Sequence, residues 1–359
     1  MRVDQIIPSL ASRDAIGVHT LELTAALREA GIESDIYYGN CTADVGDRAR
    51  PLTSLGAPRP DRFLLYQSSI GSPVFDLLMS RPEPKLINYH NITPAPLLEA
   101  WEPHVGYEVS LGRVQLERLA SESRLAVADS GFNETELRHL GYRDTAVVPL
   151  LIDMTHAGGD PDPAAMARLA AAKERGGIDL LFVGKVSPHK APHDLVKMLA
   201  VLRRTYDPKA RLHLVGSPLG ERYGPALAAF VEDLELTDAV EVTGSVDAGT
   251  LEAYYRSADV FVCASDHEGF CVPIVEAMGH GVPVVAYGTA AVPETVGEAG
   301  IVLPTKEPLR FAAAVARVAQ DKVLHDRLAA EGRRRTTEVF ALRRSRDRFV
   351  DLVRAAVGA

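Results

Sequence analysis

Short apolar runs alternate with helical patterns along the whole of this chain, and that alternation restricts it to parallel sheets built from βαβ units. In the first half, strand-like runs fall at 5–7, 34–38, 62–66, 85–89, 125–128 and 146–149. Helices are expected at 18–30, 73–79, 107–120 and 133–140, with a loop over 8–17 and Gly31 as the stop of the first helix. The stretch 153–163, rich in glycine, proline and aspartate, reads as an interdomain linker. After a short helix the pattern restarts, with strands at 180–184, 211–216, 240–244, 260–264, 282–287 and 300–303. The helices between and after them fall at 193–204, 224–234, 248–257, 273–279, 308–319 and 325–340. Each half therefore reads as its own Rossmann-like, doubly wound α/β domain, the first over 1–155 and the second over 156–335. Ligands bind beyond the carboxyl ends of the strands in such sheets, which makes the cleft between two of them the default site.

The chain's 359 residues suffice for two such domains, and 47% hydrophobic with 24% charged residues is a globular composition. A net charge of −9 argues against a broad nucleic-acid surface but leaves room for a local basic groove. The three cysteines, Cys41, Cys263 and Cys271, have neither metal-site nor disulfide spacing, as expected in a reducing cytoplasm. The N-terminus carries no apolar signal region and no run reaches the length of a membrane span, so membrane association is expected to be peripheral at most.

The segment that carries chemistry is Ser265-Asp-His-Glu-Gly-Phe-Cys-Val-Pro-Ile-Val-Glu-Ala-Met278. Pro273 suits a first helical turn, where a missing N–H costs little. The N–H groups of Gly269, Phe270, Cys271 and Val272 then point outward with the helix dipole behind them, an anion site made of backbone. Glu276, about one turn in, is placed to accept two ribose hydroxyl protons, and Glu268, on the loop, to bind sugar hydroxyls. Two glutamates at this separation are common and by themselves read as surface acids. The strand before them and the run Ala277-Met-Gly-His-Gly-Val-Pro-Val-Val285 after them favour a donor site. A second element, Leu181-Phe-Val-Gly-Lys-Val-Ser-Pro-His-Lys190, ends a strand at Gly184 and sets Lys185 and Lys190 around a turn. Surface lysines are usually only solvated. As a pair they would grip one diphosphate as point charges, stabilise a leaving nucleoside diphosphate and remove the need for a metal.

Together the two segments resemble the retaining family 4 glycosyltransferases, enzymes of the GT-B fold. The resemblance identifies Glu268 to Glu276 with the family's E-x7-E motif and Lys185 with Lys190 as its basic pair. It reaches the first domain through Tyr89-His-Asn-Ile-Thr-Pro94 and Asp14-Ala-Ile-Gly17, which look like acceptor-side loops. It implies transfer of a hexose from a nucleoside-diphosphate sugar to an acceptor hydroxyl, with retention, no cofactor and no metal. It places His90 beside the transferred sugar, where its ring would bond a hydroxyl; the alternative is a histidine capping a loop. Gly17 would let a loop pass close to the donor, or merely turn into the helix. Asp14, Asn91 and Ser130 are acceptor-side candidates, with loop stabilisation open for Asp14 and helix capping for Ser130. Gly216 and Ser217 end one strand and Gly244-Ser-Val246 the next; the family packs the base there, so Val246 is its expected contact. The chain departs from the family in carrying Lys185 where arginine is more common, which loses the fork geometry, and Ala191 where glycine often follows the lysine. The family's chain also crosses back at its end. Residues 336–359, with Arg343, Arg344, Arg346 and Arg348, are therefore expected as a helix packing on the first domain, the lipid- or phosphate-seeking reading being the alternative.

No motif marks a protein nucleophile, so the expected path is a front-face transfer in which the departing diphosphate takes the acceptor's proton. The acceptor, a saccharide, a lipid-linked sugar or a natural product, has no signature here, and main-chain readout leaves uridine and guanosine donors equally open. A sugar-nucleotide epimerase, a phosphorylase and a non-catalytic sugar-nucleotide binder are the rivals. A dinucleotide fingerprint is missing after the first strand, which counts against a dehydrogenase. Asp160-Pro-Asp162 looks like a metal motif, but it lies in the linker. Trp101 and His104 would either shape the acceptor side or pack their own loop.

Overall fold

The computed structural model describes residues 1–11, 14–153 and 159–358. The apolar runs become the strands of two sheets, each wholly parallel. The first sheet holds β1 (Arg2–Leu10), β2 (Ile36–Cys41), β3 (Arg50–Pro51), β4 (Arg62–Ser68), β5 (Lys85–Tyr89), β6 (Ser123–Ala128) and β7 (Thr145–Val147). Their order across the sheet is β3-β2-β1-β4-β5-β6-β7. Helices α1 (Ala15–Glu29), α2 (Val74–Ser80), α3 (Pro103–Leu119) and α4 (Gly131–His139) connect them. The second sheet holds β8 (Asp179–Val183), β9 (Arg211–Val215), β10 (Val240–Gly244), β11 (Val260–Cys263), β12 (Val284–Tyr287) and β13 (Gly300–Leu303), in the order β10-β9-β8-β11-β12-β13. Its helices are α5 (Pro163–Glu174), α6 (Pro192–Thr205), α7 (Tyr223–Asp233), α8 (Ala248–Ser257), α9 (Val272–His280), α10 (Val292–Val296), α11 (Pro308–Gln320) and α12 (Lys322–Glu338). A last helix, α13, spans Leu342–Val357.

The chain divides into two compact units: Met1–Glu99 with Pro103–Ile152 and Ala341–Ala359, and Ala100–Glu102 with Asp153–Phe340. The divisions fall at 152/153 and 340/341, where the sequence reading put them at 155/156 and 335/336. Helix α13 belongs to the first unit because Phe349, Val350 and Val353 are buried in that unit's core with Val3, Leu23, Leu27 and Leu65. Arg346 pairs with Glu29 at 2.5 Å and Arg354 donates to the Ala30 carbonyl at 2.8 Å, so these two arginines brace α1. Residues 154–158 of the expected linker lie outside the described residues. Asp162 caps α5, accepting from the Ala165 N–H at 2.7 Å. Val260–Cys263 is buried along its length, as a strand covered by helices on both faces must be. Among the described residues no helix is long and apolar enough to cross a membrane.

The expected loop over 8–17 is corrected at both ends. Strand β1 runs on to Leu10, and α1 starts at Ala15, capped by Asp14, whose carboxylate accepts from the Gly17 N–H at 3.3 Å. Gly17 is therefore a first-turn helical residue rather than a loop glycine, and a Cβ there would lie 1.9 Å from the Ala11 carbonyl oxygen. Helix α10 and strand β3 escape the sequence reading because segments that short carry no measurable period.

In the second unit β8 and β9 are followed by Gly184 and Gly216 and β10 ends in Gly244, all at positive φ. Gly216 is the tightest: its φ is 147°, and a Cβ would sit 2.0 Å from the Gly184 carbonyl oxygen. Strain at that φ and the backbone clash together make Gly216→Ala cost about 3 kcal/mol or more. Denaturant unfolding measures it, and a loss under about 0.5 kcal/mol, the scale of an ordinary surface change, would show that the strand ends do not meet so closely.

Candidate active site

The strand order of the second sheet reverses between β8 and β11, and in open α/β sheets the crevice outside the carboxyl ends at such a reversal is where ligands bind. The chain leaving β8 carries Gly184 to Lys190, and the chain leaving β11 carries Ser265 to Glu268. The switch point thus brings together two residues far apart in sequence. Lys190 Nζ lies 2.7 and 2.6 Å from the two carboxylate oxygens of Glu268, and the Ser265 hydroxyl donates to Oε1 at 2.7 Å. The Glu268 side chain is 5% exposed and that of Lys190 24%. Burial pushes the Glu268 carboxyl up, but the Lys190 ammonium and the Ser265 hydroxyl outweigh it and hold the group below its ordinary range. Burial pulls Lys190 down, and Glu268 more than restores it. Both residues are charged at neutral pH. The ammonium has three N–H donors and gives two to Glu268.

The two loops are fastened to each other. The Asp266 N–H donates to the His189 carbonyl at 2.7 Å, and Ala291 N–H to that of Glu268 at 3.2 Å. Lys306 reaches Asp266 at 2.6 Å. Ala191 sits at φ 47°, keeping the left-handed backbone at a cost of about 1–2 kcal/mol. The neighbouring His189 ring is pushed down to about 3 by burial and then by Lys190, so it stays neutral. Lys190 is thus held by Glu268, while Lys185 stands exposed just past the end of β8.

Helix α9 begins at Val272 with Cys271 as a left-handed cap (φ 70°) and Pro273 at its second position. First-turn N–H groups have no partner inside a helix, which leaves this end electropositive. The Phe270 ring is buried edge-on against Phe340, and its carbonyl accepts from Thr295 Oγ1 at 2.6 Å. Its ring and carbonyl are thus structural, leaving only its N–H as a candidate donor. Glu276 is half-buried, and Tyr255 donates its hydroxyl to Oε2 at 2.6 Å. The Tyr255 ring stacks on His280 at 4.7 Å and 10°, and His280 in turn meets Glu252 at 2.8 Å. Burial pushes the Glu276 carboxyl up, and the Tyr255 bond offsets part of that. At the ends of β9 and β10 the Ser217 and Ser245 hydroxyls meet at 2.8 Å. Val246 follows half-buried, just before Asp247 caps α8.

In the first unit the His90 ring is enclosed by its neighbours. Its side chain is only 1% exposed, with Nδ1 2.9 Å from Asp129 and Nε2 2.6 Å from Gln67 Oε1. Both ring nitrogens have partners inside the unit. The Thr20 carbonyl accepts from the Gln5 amide nitrogen, which turns Gln5 Oε1 toward the Gln67 amide and Gln67 Oε1 toward His90. Burial pushes the Asp129 carboxyl up. Ser130 caps α4 through the Asn133 N–H at 3.2 Å, and Asn91, at φ 73°, donates to Asn133 Oδ1 at 2.8 Å. Ser130, Asn91 and Asp14 are thus all engaged in local structure. His104 is exposed beside Glu108, whereas Trp101, in the second unit, packs edge-on against Tyr223 at 5.2 Å. Ser265, Tyr255, Gln67 and Asp129 were given no role by the sequence. Ser265 lay within the motif; the other three meet their partners only through tertiary packing.

Residues 177–321 match the family described as Glycosyl transferases group 1. The chain therefore carries a domain of that family on a GT-B fold, with two parallel, Rossmann-like sheets. The D-inositol 3-phosphate glycosyltransferase of Geodermatophilus obscurus is 31% identical over 251 residues, which are 67% of this chain and 54% of that protein. The enzyme of the same name from Saccharomonospora viridis is 31% identical over 207 residues, 55% and 48% of the two chains. This chain spans about half the length of the curated relatives it matches. Anabaena Alr3699/HepE, solved with UDP and glucose, superposes with a TM-score of 0.77 at 16% identity, covering 99% of this chain and 100% of that one. Sucrose-phosphate synthase from Thermosynechococcus elongatus does so at 0.74 and 19%, covering 99% of each chain. At those identities the likeness is one of fold.

Proposed function

We propose that this protein is a retaining glycosyltransferase that moves a hexose from a nucleoside-diphosphate sugar to an acceptor hydroxyl without a metal ion. The observation that carries the reading is the buried Lys190–Glu268–Ser265 cluster at the switch point of the second sheet, beside the N-terminus of α9 with Glu276 one turn further in. The donor diphosphate sits against the first-turn N–H groups of α9 and the uncommitted N–H of Lys190, with Lys185 as a second positive charge. Glu268 accepts hydroxyl protons of the hexose, and Glu276 those of the ribose. The bond from the anomeric carbon to the diphosphate oxygen breaks as the acceptor oxygen bonds to the same face. The acceptor's proton passes to the departing phosphate oxygen. Charge grows on that diphosphate, and fixed positive groups in a site with little water stabilise it there. The name of the curated relatives adds D-inositol 3-phosphate to the acceptors worth assaying.

A thermal-shift panel of uridine and guanosine diphosphates and their sugars tests donor binding, and NMR of the product tests stereochemistry. The expected outcome is stabilisation by one base series, transfer that survives EDTA, and a product with the donor's anomeric configuration. An inverted anomer overturns retention. Epimerised or hydrolysed donor in the absence of acceptor, or binding without transfer to any acceptor, overturns the transferase reading itself.

A further inference from the structure

Two thiols that the transfer reaction does not use flank the Glu268 carboxylate. Cys263 ends β11, Cys271 caps α9, and the Glu268 carboxylate lies between them in sequence. One ligand atom from each, the two thiol sulfurs and a carboxylate oxygen, lie within 4.8 Å of one another. Ser265 ties the group together: its hydroxyl donates to Glu268 at 2.7 Å and lies 3.4 Å from the Cys263 sulfur. Cys263 is buried and Cys271 half-buried, so the group is neither sealed nor on the surface.

We propose that Cys263, Cys271 and Glu268 form a binding site for a thiophilic divalent cation such as Zn²⁺ or Cd²⁺, and that its occupation shuts the donor site. Two sulfurs and one carboxylate with a fourth position open are a ligand set that zinc accepts, and paired thiolates select soft ions over Mg²⁺. Zn–S and Zn–O bonds of about 2.3 and 2.1 Å put tetrahedral ligand atoms about 3.5–3.8 Å apart, so the group needs to close by about 1 Å at most. Binding releases the thiol protons to solvent and replaces the Lys190 ammonium as the charge partner of Glu268. Lys190, at 24% side-chain exposure, has room to swing out. Glu268 then no longer faces the sugar, and the α9 cap is tied to β11. The binding claim is independent of the proposed reaction; only the inhibition rests on it.

The test uses the full chain, kept reduced with a phosphine. Cd²⁺ is expected to give an ultraviolet thiolate charge-transfer band that saturates at one equivalent. That band persists in Cys41→Ser and disappears in Cys263→Ser, and Cys271→Ser repeats the loss should the first variant not fold. Zn²⁺ is expected to inhibit donor turnover reversibly, with EDTA restoring it and Mg²⁺ without effect. Removing the Cys263 thiolate should raise the inhibitory Zn²⁺ concentration by about 10–100-fold or more, at least the scale of losing an outer-shell group. A Cd²⁺ band that is absent, or unchanged in both thiol variants, overturns the site. A band that behaves as expected without inhibition by Zn²⁺ overturns the claim that occupation closes the donor site.

Discussion

Lys190→Ala is expected to lower kcat by about 10²–10³-fold, the scale of losing one fixed group aimed at developing negative charge. It is also expected to lower stability toward the smaller end of the about 3–5 kcal/mol seen when one partner of a buried ion pair is removed, because Lys190 keeps some solvent contact. The pH dependence separates the two effects. Glu268 is held below its ordinary range in the folded protein, so its contribution is present above the unfolded carboxylate value of about 4.3 and fades as pH falls through the lower folded value. Lys190 is raised, so its contribution is present below about 10.4 and fades as pH rises through the higher folded value. Neutral pH lies inside both windows. Without Lys190 the main counterweight to burial is gone, and the Glu268 carboxyl moves up. The variant's stability deficit relative to the wild type should then shrink on acidification from neutral toward about pH 5, the other titrating groups being common to both proteins and cancelling in the difference. Paired denaturant curves at the two pH values measure this, and single-turnover assays measure kcat. Near-normal turnover would remove Lys190 from the chemistry.

How far the sequence reaches can be seen in particular residues. Lys85–Tyr89, Val240–Gly244, Ala248–Ser257 and Gly300–Leu303 agree end for end with the sequence reading, because short runs rich in Val, Ile, Leu or Tyr read as strands and a capped helix has a marked start. Glu268 and Lys190 were legible as candidate site residues from their segments, but not as a pair, because their contact is made by the β8–β11 neighbour relation, which no local pattern encodes. His90 shows the converse. A histidine at a strand end before a proline-rich loop looks exposed, yet Gln67 from β4 and Asp129 beyond β6 enclose its ring, and only the sheet order makes them neighbours. Gly17 was misplaced by its own cap: Asp14 closes the first turn earlier than the apolar periodicity begins. Boundaries move with such single hydrogen bonds, whereas elements follow from many apolar residues at once.

Glu276→Ala is expected to raise the donor KM by about 10–150-fold with a smaller change in kcat, since a charged acceptor bonded to ribose hydroxyls contributes about 1.5–3 kcal/mol in ground and transition state alike. A deoxyribose donor supplies the second leg of a double-mutant cycle: it should bind worse than the ribose donor to the wild type and equally to the variant. Equal losses with both donors would take Glu276 off the ribose. Tyr255 enters through the same carboxylate. It holds Oε2 at 2.6 Å and partly offsets the burial that pushes the Glu276 carboxyl up. Glu276 must be ionised to accept two hydroxyl protons, so donor KM should rise as pH falls through its raised pKa. In Tyr255→Phe the larger part of the offset is gone and burial prevails. The acid limb of 1/KM should therefore move to higher pH, with a KM increase at neutral pH below that of Glu276→Ala. A purely structural role for Tyr255 would lower stability and kcat without shifting that limb, so an unmoved pH profile in Tyr255→Phe assigns the residue to packing against His280 instead.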